Sequence, residues 1–369
     1  MLYYLSQLGG DPALQSALNV FQYISFRAAM AAITSFLLCL VFGNFVIRKL
    51  ISLKVGQPIR TKEEVNKLFE LQGAKKGTPT MGGVLLMGSV VVSTMLWARS
   101  DNHFVWLVLF TIVYLATIGF IDDYLKVKKQ NSAGLPGRLK LVGQIVLAAG
   151  ITAFLLWDPA SASQTRELYI PFYKEPIFAF GLIGAFVFYT AIIAGTSNAV
   201  NLTDGLDGLA TGCTITTSVA YAVLSWCTGN FVVARYLQIP HNLQASELTV
   251  ACMALAGAGL GFLWFNAHPA RVFMGDTGSL SIGGMLAVVA ICCKQELLLV
   301  VVGGIFVIEA CSVIIQVISF KTTGKRVFKM SPIHHHFELM GWKENTVIVR
   351  FWILSLIFAL LGLATLKLR

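Results

Sequence analysis

Charge is scarce in this chain: Asp, Glu, Lys and Arg make up 12% of its 369 residues, about half the share carried by an ordinary soluble domain. Together with 56% apolar residues and a mean hydropathy of +0.73, that shortage excludes a soluble globular protein, and no nucleic-acid partner is expected. The seven cysteines (Cys39, Cys213, Cys227, Cys252, Cys292, Cys293, Cys311) form no Cys-x-x-Cys pair and all lie in apolar runs. Neither a zinc site nor a disulfide framework is indicated, and buried free thiols are expected. The zincin pattern His-Glu-x-x-His is missing. The N-terminus also lacks a basic region followed by a short apolar run and a small-residue cleavage site, so no cleaved signal peptide is expected and the first helix serves as anchor.

What the sequence does have is long apolar segments. A spanning helix needs about 20 mostly apolar residues, and ten segments qualify, near 21–46, 80–98, 104–122, 140–157, 176–196, 208–228, 247–266, 278–293, 297–320 and 348–366. The fold class is therefore all-α, a polytopic integral membrane protein of about ten transmembrane helices forming one domain over residues 1–369. Ten crossings put both termini on one side. Loops 47–79, 123–140, 197–207, 267–277 and 321–347 hold nineteen Lys and Arg against seven on the opposite face. Positive charge favours the cytoplasm, so those loops are cytoplasmic and both termini periplasmic.

Every polar motif falls on the cytoplasmic side. Asp122 and Asp123 stand where the uncharged run 104–121 ends and a basic loop begins. An unpaired carboxylate deeper in hydrocarbon would cost several kcal/mol, whereas at the end of the run the pair can meet water, a metal or a phosphate. Adjacent carboxylates repel, and a divalent cation or a retained proton relieves that repulsion; Lys126, one helical turn beyond Asp122, offsets part of it. The plainer reading is a solvated helix end.

Loop 47–79 holds Thr61 to Phe69, which reads as a short interfacial helix, and then Lys75-Lys76-Gly77-Thr78-Pro79-Thr80-Met81-Gly82-Gly83. Its lysine pair before a helix N-terminus suits an anion, and equally a positive-inside anchor. Lys128, Lys129, Arg138 and Lys140 extend the basic surface, which attracts anionic lipid or a phosphate headgroup. Outside, segment 158–175 reads as a small hairpin on the membrane. In the loop around Asn201, Asp204 and Asp207 the two carboxylates are three apart and can converge on one ligand, although a helix N-cap explains one of them. Asp276, flanked by Gly275 and Gly278 before the next span, is an N-cap, a metal ligand, or both. Glu309 and Gln316, seven apart in an apolar segment, share one face that points into the protein. His334, His335 and His336 cannot all bind one metal from regular structure, because neighbours point apart; phosphate hydrogen bonding or charge neutralisation fits them first and metal ligation second.

Assembled in this order, the motifs resemble the polyprenyl-phosphate N-acetylhexosamine-1-phosphate transferases. The resemblance covers nearly the whole chain and rests on Thr78-Pro79-Thr80-Met81-Gly82-Gly83, Asp122-Asp123, Asn201 to Gly208, Gly275-Asp276-Thr277-Gly278 and Ser331 to Glu338. The unbroken histidine triplet and Pro79 to Gly83 look more like the branch using a muramoyl-pentapeptide donor than the branch using UDP-N-acetylglucosamine.

The resemblance implies a magnesium-dependent enzyme of the bacterial inner membrane. UDP-N-acetylmuramoyl-pentapeptide would react with undecaprenyl phosphate to give lipid I and UMP, the first membrane step of peptidoglycan synthesis, in a protein that the family suggests is a homodimer. It also implies roles. Asp276 is the principal magnesium ligand, Asp122 and Asp123 line the same metal site, and all three are catalytic, with Asp122 orienting or deprotonating the lipid phosphate. Lys75, Thr80, Asn201, Asp204, Asp207, Asn266, Phe273, Gln316, His334, His335 and His336 surround the nucleotide sugar, with Phe273 stacked on uracil, and Lys126 and Lys140 face phosphate charge. Direct attack by the lipid phosphate and a covalent phospho-sugar intermediate on a carboxylate both remain open at this stage. The competing readings are a UDP-N-acetylglucosamine transferase and, more remotely, an ion-coupled transporter, which would place acids at mid-membrane and carry internal repeats.

Overall fold

The computed structural model describes residues 1–7, 15, 18–53, 77–129, 134–159 and 161–367. Lys75 and the expected interfacial helix 61–69 lie outside the described residues. The principal helices are α1 Ile24–Ser52, α2 Gly83–Trp97, α3 His103–Lys129, α4 Gly137–Trp157, α5 Leu182–Thr203, α6 Leu209–Gly229 and α7 Phe231–Leu237. They continue as α8 Leu248–Asn266, α9 Gly275–Cys292, α10 Leu298–Val302, α11 Gly304–Thr323, α12 Ile333–Leu339 and α13 Glu344–Ala364.

Eight helices among the described residues are long and apolar enough to cross a bilayer, and α6 with α7, bent through 101°, counts as a ninth. The protein is thus a multi-pass membrane protein. The predicted span 80–98 is realised as α2, whose 15 residues reach only about 22 Å against a hydrocarbon core of about 30 Å. The all-α expectation needs one small amendment, an antiparallel pair of β1 Glu167–Leu168 with β2 Phe178–Ala179. The predicted hairpin is there, but its second strand takes residues assigned to span 176–196. That span begins instead at Leu182.

The centre of the bundle is α9. Every residue from Asp276 to Cys292 is buried, as befits a helix without a polar face, and its small residues (Gly278, Ser279, Ser281, Gly283, Gly284) let neighbouring helices approach closely. The outer helices differ: α1, α11 and α13 expose wide apolar faces bearing residues such as Phe45, Ile315 and Leu360, the surface that lipid covers. Six of the seven cysteines are buried free thiols, whereas Cys311 on α11 is exposed, because its side of that helix faces away from the bundle.

Of the helices that outrun their predicted ends, α3 and α5 do so by the most. Helix α3 continues through Asp122 and Asp123 to Lys129, and α5 runs on past residue 196 to Thr203. Polar turns stay helical there because they find partners in neighbouring helices. Ser197 Oγ donates to the Leu280 carbonyl (3.0 Å), Gln144 Nε2 donates to Ser197 Oγ (3.2 Å) and Asn198 Nδ2 donates to Gln144 Oε1 (2.9 Å). The consequence is functional: Asp122, Asp123, Lys126 and Asn201 stand on helices rather than in loops.

At the opposite end of the bundle, α1 and the start of α8 are joined by a buried bidentate pair, Arg27 to Glu247 at 2.6 and 2.7 Å. Glu247 also accepts from the Arg99 backbone N–H (3.0 Å). Nearby, Lys294 donates to Glu296 (2.7 Å) and to the Tyr189 hydroxyl (3.1 Å).

Candidate active site

The N-terminus of α9 is wedged between α2 and α3 by backbone contact. A side chain at Gly83 would overlap the Gly278 backbone, and one at Gly119 would overlap the Asp276 carbonyl. The loop before α9 is tied down as a short ladder: Phe273 N–H donates to the Pro79 carbonyl, Gly82 N–H to Phe273 and Gly83 N–H to Met274, each at 2.8 Å. The Thr78 to Gly83 and Gly275 to Gly278 motifs therefore form one substructure, with Thr80 Oγ1 beside Gly275.

Asp123 caps α9 from outside the helix. Its carboxylate accepts from the backbone N–H groups of Asp276 (3.2 Å) and Thr277 (3.1 Å) and from the Thr277 hydroxyl (2.9 Å). Free N–H groups and a positive dipole end make that position favourable for an anion. Asp276 is therefore not the cap; the residue at the cap position is Met274 and it makes no side-chain cap bond. Relieved of that duty, the Asp276 side chain enters the site. Asn201 Nδ2 donates to Asp276 Oδ1 (2.8 Å) and to Ser279 Oγ (2.8 Å), which orients the carboxylate.

Around it gather Asp122 and two lysines. Lys126 Nζ lies 2.5 Å from Asp122, 3.1 Å from Asp276 and 3.8 Å from Asp123; Lys140 Nζ lies 3.0 Å from Asp122 and 2.7 Å from Asp276. The Leu135 N–H adds a bond of 2.6 Å to Asp122. Lys126 is thus the one-turn partner of Asp122 that the spacing predicts, although both lysines sit among carboxylates. Asp122 has no exposed surface and Asp123 is 3% exposed, so these charges are stabilised by each other rather than by bulk water.

Oxygens of Asp122, Asp123 and Asp276 lie within 4.8 Å of one another. Three hard oxygen donors, with no thiolate or imidazole in the group, suit magnesium or calcium rather than zinc. The negative charge also exceeds that of the two lysines by one, and a bound cation would offset it. The residues therefore fit a hard divalent ion: each aspartate meets three donors, but Asp276 and Asp122 meet mainly the two lysines, whereas the donors to Asp123 all belong to the start of α9.

The other predicted site residues have partners of their own. Asp204 follows α5; burial and the negative charge of Asp276 and Asp123 push its carboxyl up to about 7, against the pull of the Gly275 N–H. Asp207 turns elsewhere, to His268 Nδ1 (3.0 Å) and the Ala270 N–H (3.1 Å), and its N–H donates to Glu344 (3.2 Å). The Asn266 amide is engaged by the Thr211 hydroxyl (2.9 Å) and the Val272 carbonyl (2.9 Å). Phe273 is half-buried.

On α11, Gln316 holds the following loop through the Val327 and Phe328 N–H groups and the Phe328 carbonyl, while Glu309 receives His334. Both contacts come from the single face that their spacing predicts. The three histidines take different partners on α12, although the His334 and His335 rings stay in edge contact, 4.2 Å between centroids. His334 pairs with Glu309 (3.1 Å), His335 with Glu338 (2.7 Å), and His336 accepts from the Lys329 N–H (3.1 Å). Burial holds the His335 imidazole below its usual range, with Glu338 opposing. Four residues that the sequence motifs do not single out belong here: Thr277 and Ser279, which complete the Asp123 and Asn201 contacts, and His268 and Glu344, which hold Asp207. The hydroxyls beside Asp276 were the available signal for the first two; for the second two there was none.

The family model for glycosyl transferase family 4 matches residues 105–294, and signature 1 of the phospho-N-acetylmuramoyl-pentapeptide-transferases matches residues 75–85. Three curated relatives bear that transferase name. The protein of Methylacidiphilum infernorum is 52% identical, that of Geobacter sp. strain M21 50% and that of Pelobacter propionicus 49%, each aligned over the full length of both chains. The chain belongs to the phospho-N-acetylmuramoyl-pentapeptide-transferase family.

Proposed function

We propose that this protein transfers phospho-N-acetylmuramoyl-pentapeptide from its UDP carrier to undecaprenyl phosphate, giving lipid I and UMP, the first membrane step of peptidoglycan synthesis. The observation that carries this reading is the convergence of three aspartates and two lysines at one end of an apolar bundle in a full-length member of the family. One substrate is a water-soluble diphosphate and the other is anchored by its tail, so the reaction belongs where a charged site meets the membrane surface. On this reading the whole chain is a single transferase domain of about ten spans in the bacterial inner membrane. The termini are periplasmic, the site faces the cytoplasm, and the protein works as a homodimer.

A lipid phosphate oxygen attacks the phosphorus that bears the sugar. The new P–O bond forms as the bond to the inner phosphate breaks, and UMP leaves with the bond's electron pair. Phosphoryl transfer asks the protein mainly for positioning and charge neutralisation. Lys126 and Lys140 meet the negative charge of the diphosphate and the incoming phosphate, exchanging a carboxylate contact for a phosphate oxygen. Asn201 and Ser279 hold Asp276 in place, Asp123 keeps the α9 N-terminus aimed at the site, Thr80 and Asp204 line the sugar-nucleotide side, and Phe273 stacks on uracil. Asp276 and Asp122, with Asp123 behind them, would hold magnesium, which supplies neutralisation of the diphosphate when bound.

Both oxygens of Asp123 are held by the start of α9, which supports direct attack over a covalent intermediate on that residue; Asp122 meets both lysines before substrate arrives.

The test is UMP release by purified protein given undecaprenyl phosphate and either UDP-N-acetylmuramoyl-pentapeptide or UDP-N-acetylglucosamine, with and without magnesium. Magnesium-dependent release with the pentapeptide donor alone is expected. Release with N-acetylglucosamine would change the substrate and keep the mechanism. Ion flux through liposomes with no release from either donor would sink the enzyme reading.

A further inference from the structure

Glu309 is the one acid of α11, it touches none of the carboxylates or lysines of the site, and the reaction as described does not use it. It is nonetheless fully buried, as is its partner His334. The two meet at 3.1 Å, Glu309 Oε1 to His334 Nδ1, while Glu309 Oε2 and His334 Nε2 are buried without a hydrogen-bond partner among the described residues. Burying an acid and an imidazole with half of their polar atoms unmatched costs about 1–3 kcal/mol per atom, and a leucine–phenylalanine contact would fill the space without that cost.

The far edge of the imidazole explains what the pair does. His334 Nε2 and Cε1 lie against Gly205 so closely that no side chain could occupy that position. Gly205 follows Asp204, whose carboxyl receives the Gly275 N–H at the start of α9, and precedes Asp207, which ties to His268 and Ala270. A line of contacts therefore runs from α11 through the α12 imidazole to the loop that carries Asp204. The tautomer follows from the same geometry: an Nε2–H pressed on the Gly205 Cα would be a buried donor with nothing to accept it, whereas Nδ1–H has the Glu309 carboxylate.

We propose that Glu309 is a positioning residue for the transfer: by holding His334 as the Nδ1–H tautomer with its Nε2 edge against Gly205, it fixes the loop that presents Asp204 to the sugar-nucleotide. The inference rests on the proposed reaction and concerns only how the donor is held. It separates two kinds of loss. Replacing Glu309 with leucine frees the ring and lets the Asp204 loop drift, so KM for the UDP-linked donor rises about tenfold or more while KM for undecaprenyl phosphate stays put. Glu309→Gln keeps an oxygen that accepts the Nδ1–H and restores donor KM to within about threefold of wild type. Gly205→Ala pushes the same contact from the other side and raises donor KM with Glu309 intact.

The experiment is steady-state UMP release by purified full-length protein, with each substrate varied in turn, for wild type, Glu309→Gln, Glu309→Leu, Gly205→Ala and the Glu309→Leu/Gly205→Ala double variant. The expected pattern is a donor-specific KM rise in Glu309→Leu and Gly205→Ala, rescue in Glu309→Gln, and a double variant no worse than the poorer single one. Where Glu309→Leu fails to fold, Glu309→Gln and Gly205→Ala still decide. Wild-type turnover with donor KM unchanged in Gly205→Ala, or equal KM increases for both substrates, overturns the positioning role and leaves the reaction standing. Multiplying losses in the double variant also overturn it, because they make the two residues independent.

Discussion

The two ends of the bundle both bury charge, and they do it differently. At the end that joins α1 to α8, Arg27 faces Glu247 one to one, and at the neighbouring corner Lys294 faces Glu296. At the other end three aspartates share two lysines, and each lysine contacts more than one carboxylate. A pair balanced in charge needs no further ion and ties helices together. An unbalanced cluster is stabilised by what it binds. Charge stoichiometry, more than burial, separates the structural end from the chemical one.

The largest effect expected from breaking this contrast is on turnover. Asp276→Asn, Asp122→Asn and Asp123→Asn should each lower kcat by about 10³-fold while leaving the unfolding temperature in detergent within a few degrees of wild type. Near-normal turnover in any one would remove that residue from the catalytic list. The reverse holds at the other end. Arg27→Met strands a buried carboxylate and should cost about 3–5 kcal/mol of stability with kcat per folded molecule unchanged, and Arg27→Met/Glu247→Leu should regain most of it; a stable Arg27→Met single variant would show that the pair holds nothing. Gly119→Ala comes third. Its methyl overlaps the Asp276 carbonyl, so an overpacking cost of about 1–3 kcal/mol should accompany a fall in kcat. Stability lost with kcat intact would show that the site tolerates movement of α9.

The smallest effect belongs to Arg99 and Asp101, an exposed pair at 2.6 Å. Arg99→Ala should change stability by less than about 1 kcal/mol. The Arg99 guanidinium holds the Asp101 carboxyl down at about 2. That depression favours the folded state above the ordinary carboxylate range, and the contribution is lost as pH falls from about 4 towards about 2. Acid titration of stability in wild type and Arg99→Ala should therefore converge at the low end; parallel curves would rule the pair out.

Much of the site could be read in the sequence because its parts are short polar islands between apolar runs, and helix ends bring such islands together at one membrane surface. Residue roles were harder to read. Asp276 satisfied the local signs of an N-cap, yet its helix is capped by Asp123, more than a hundred residues earlier in the chain. No local pattern reports a cap delivered by another helix. Polar residues end the apolar run and so predict a loop at Asn201, while in the fold those residues bond across to α4 and α9 and the helix goes on. Lys126 was legible, since its partner is one turn away on its own helix. Lys140 reaches the same carboxylates from α4, a meeting set by packing alone.

The burial of α9 on every side also decides how the protein responds to bilayer thickness. Lipid reaches the apolar outer faces of α1, α4, α5, α11 and α13 and one side of α3, so tilting and stretching to match thicker or thinner lipid falls on those faces, at a fraction of a kcal/mol per ångström. The helix that carries Asp276 meets protein at each turn and keeps its depth relative to α2 and α3. Reconstitution in lipids of increasing chain length should therefore move the unfolding temperature well before it moves the chemical step.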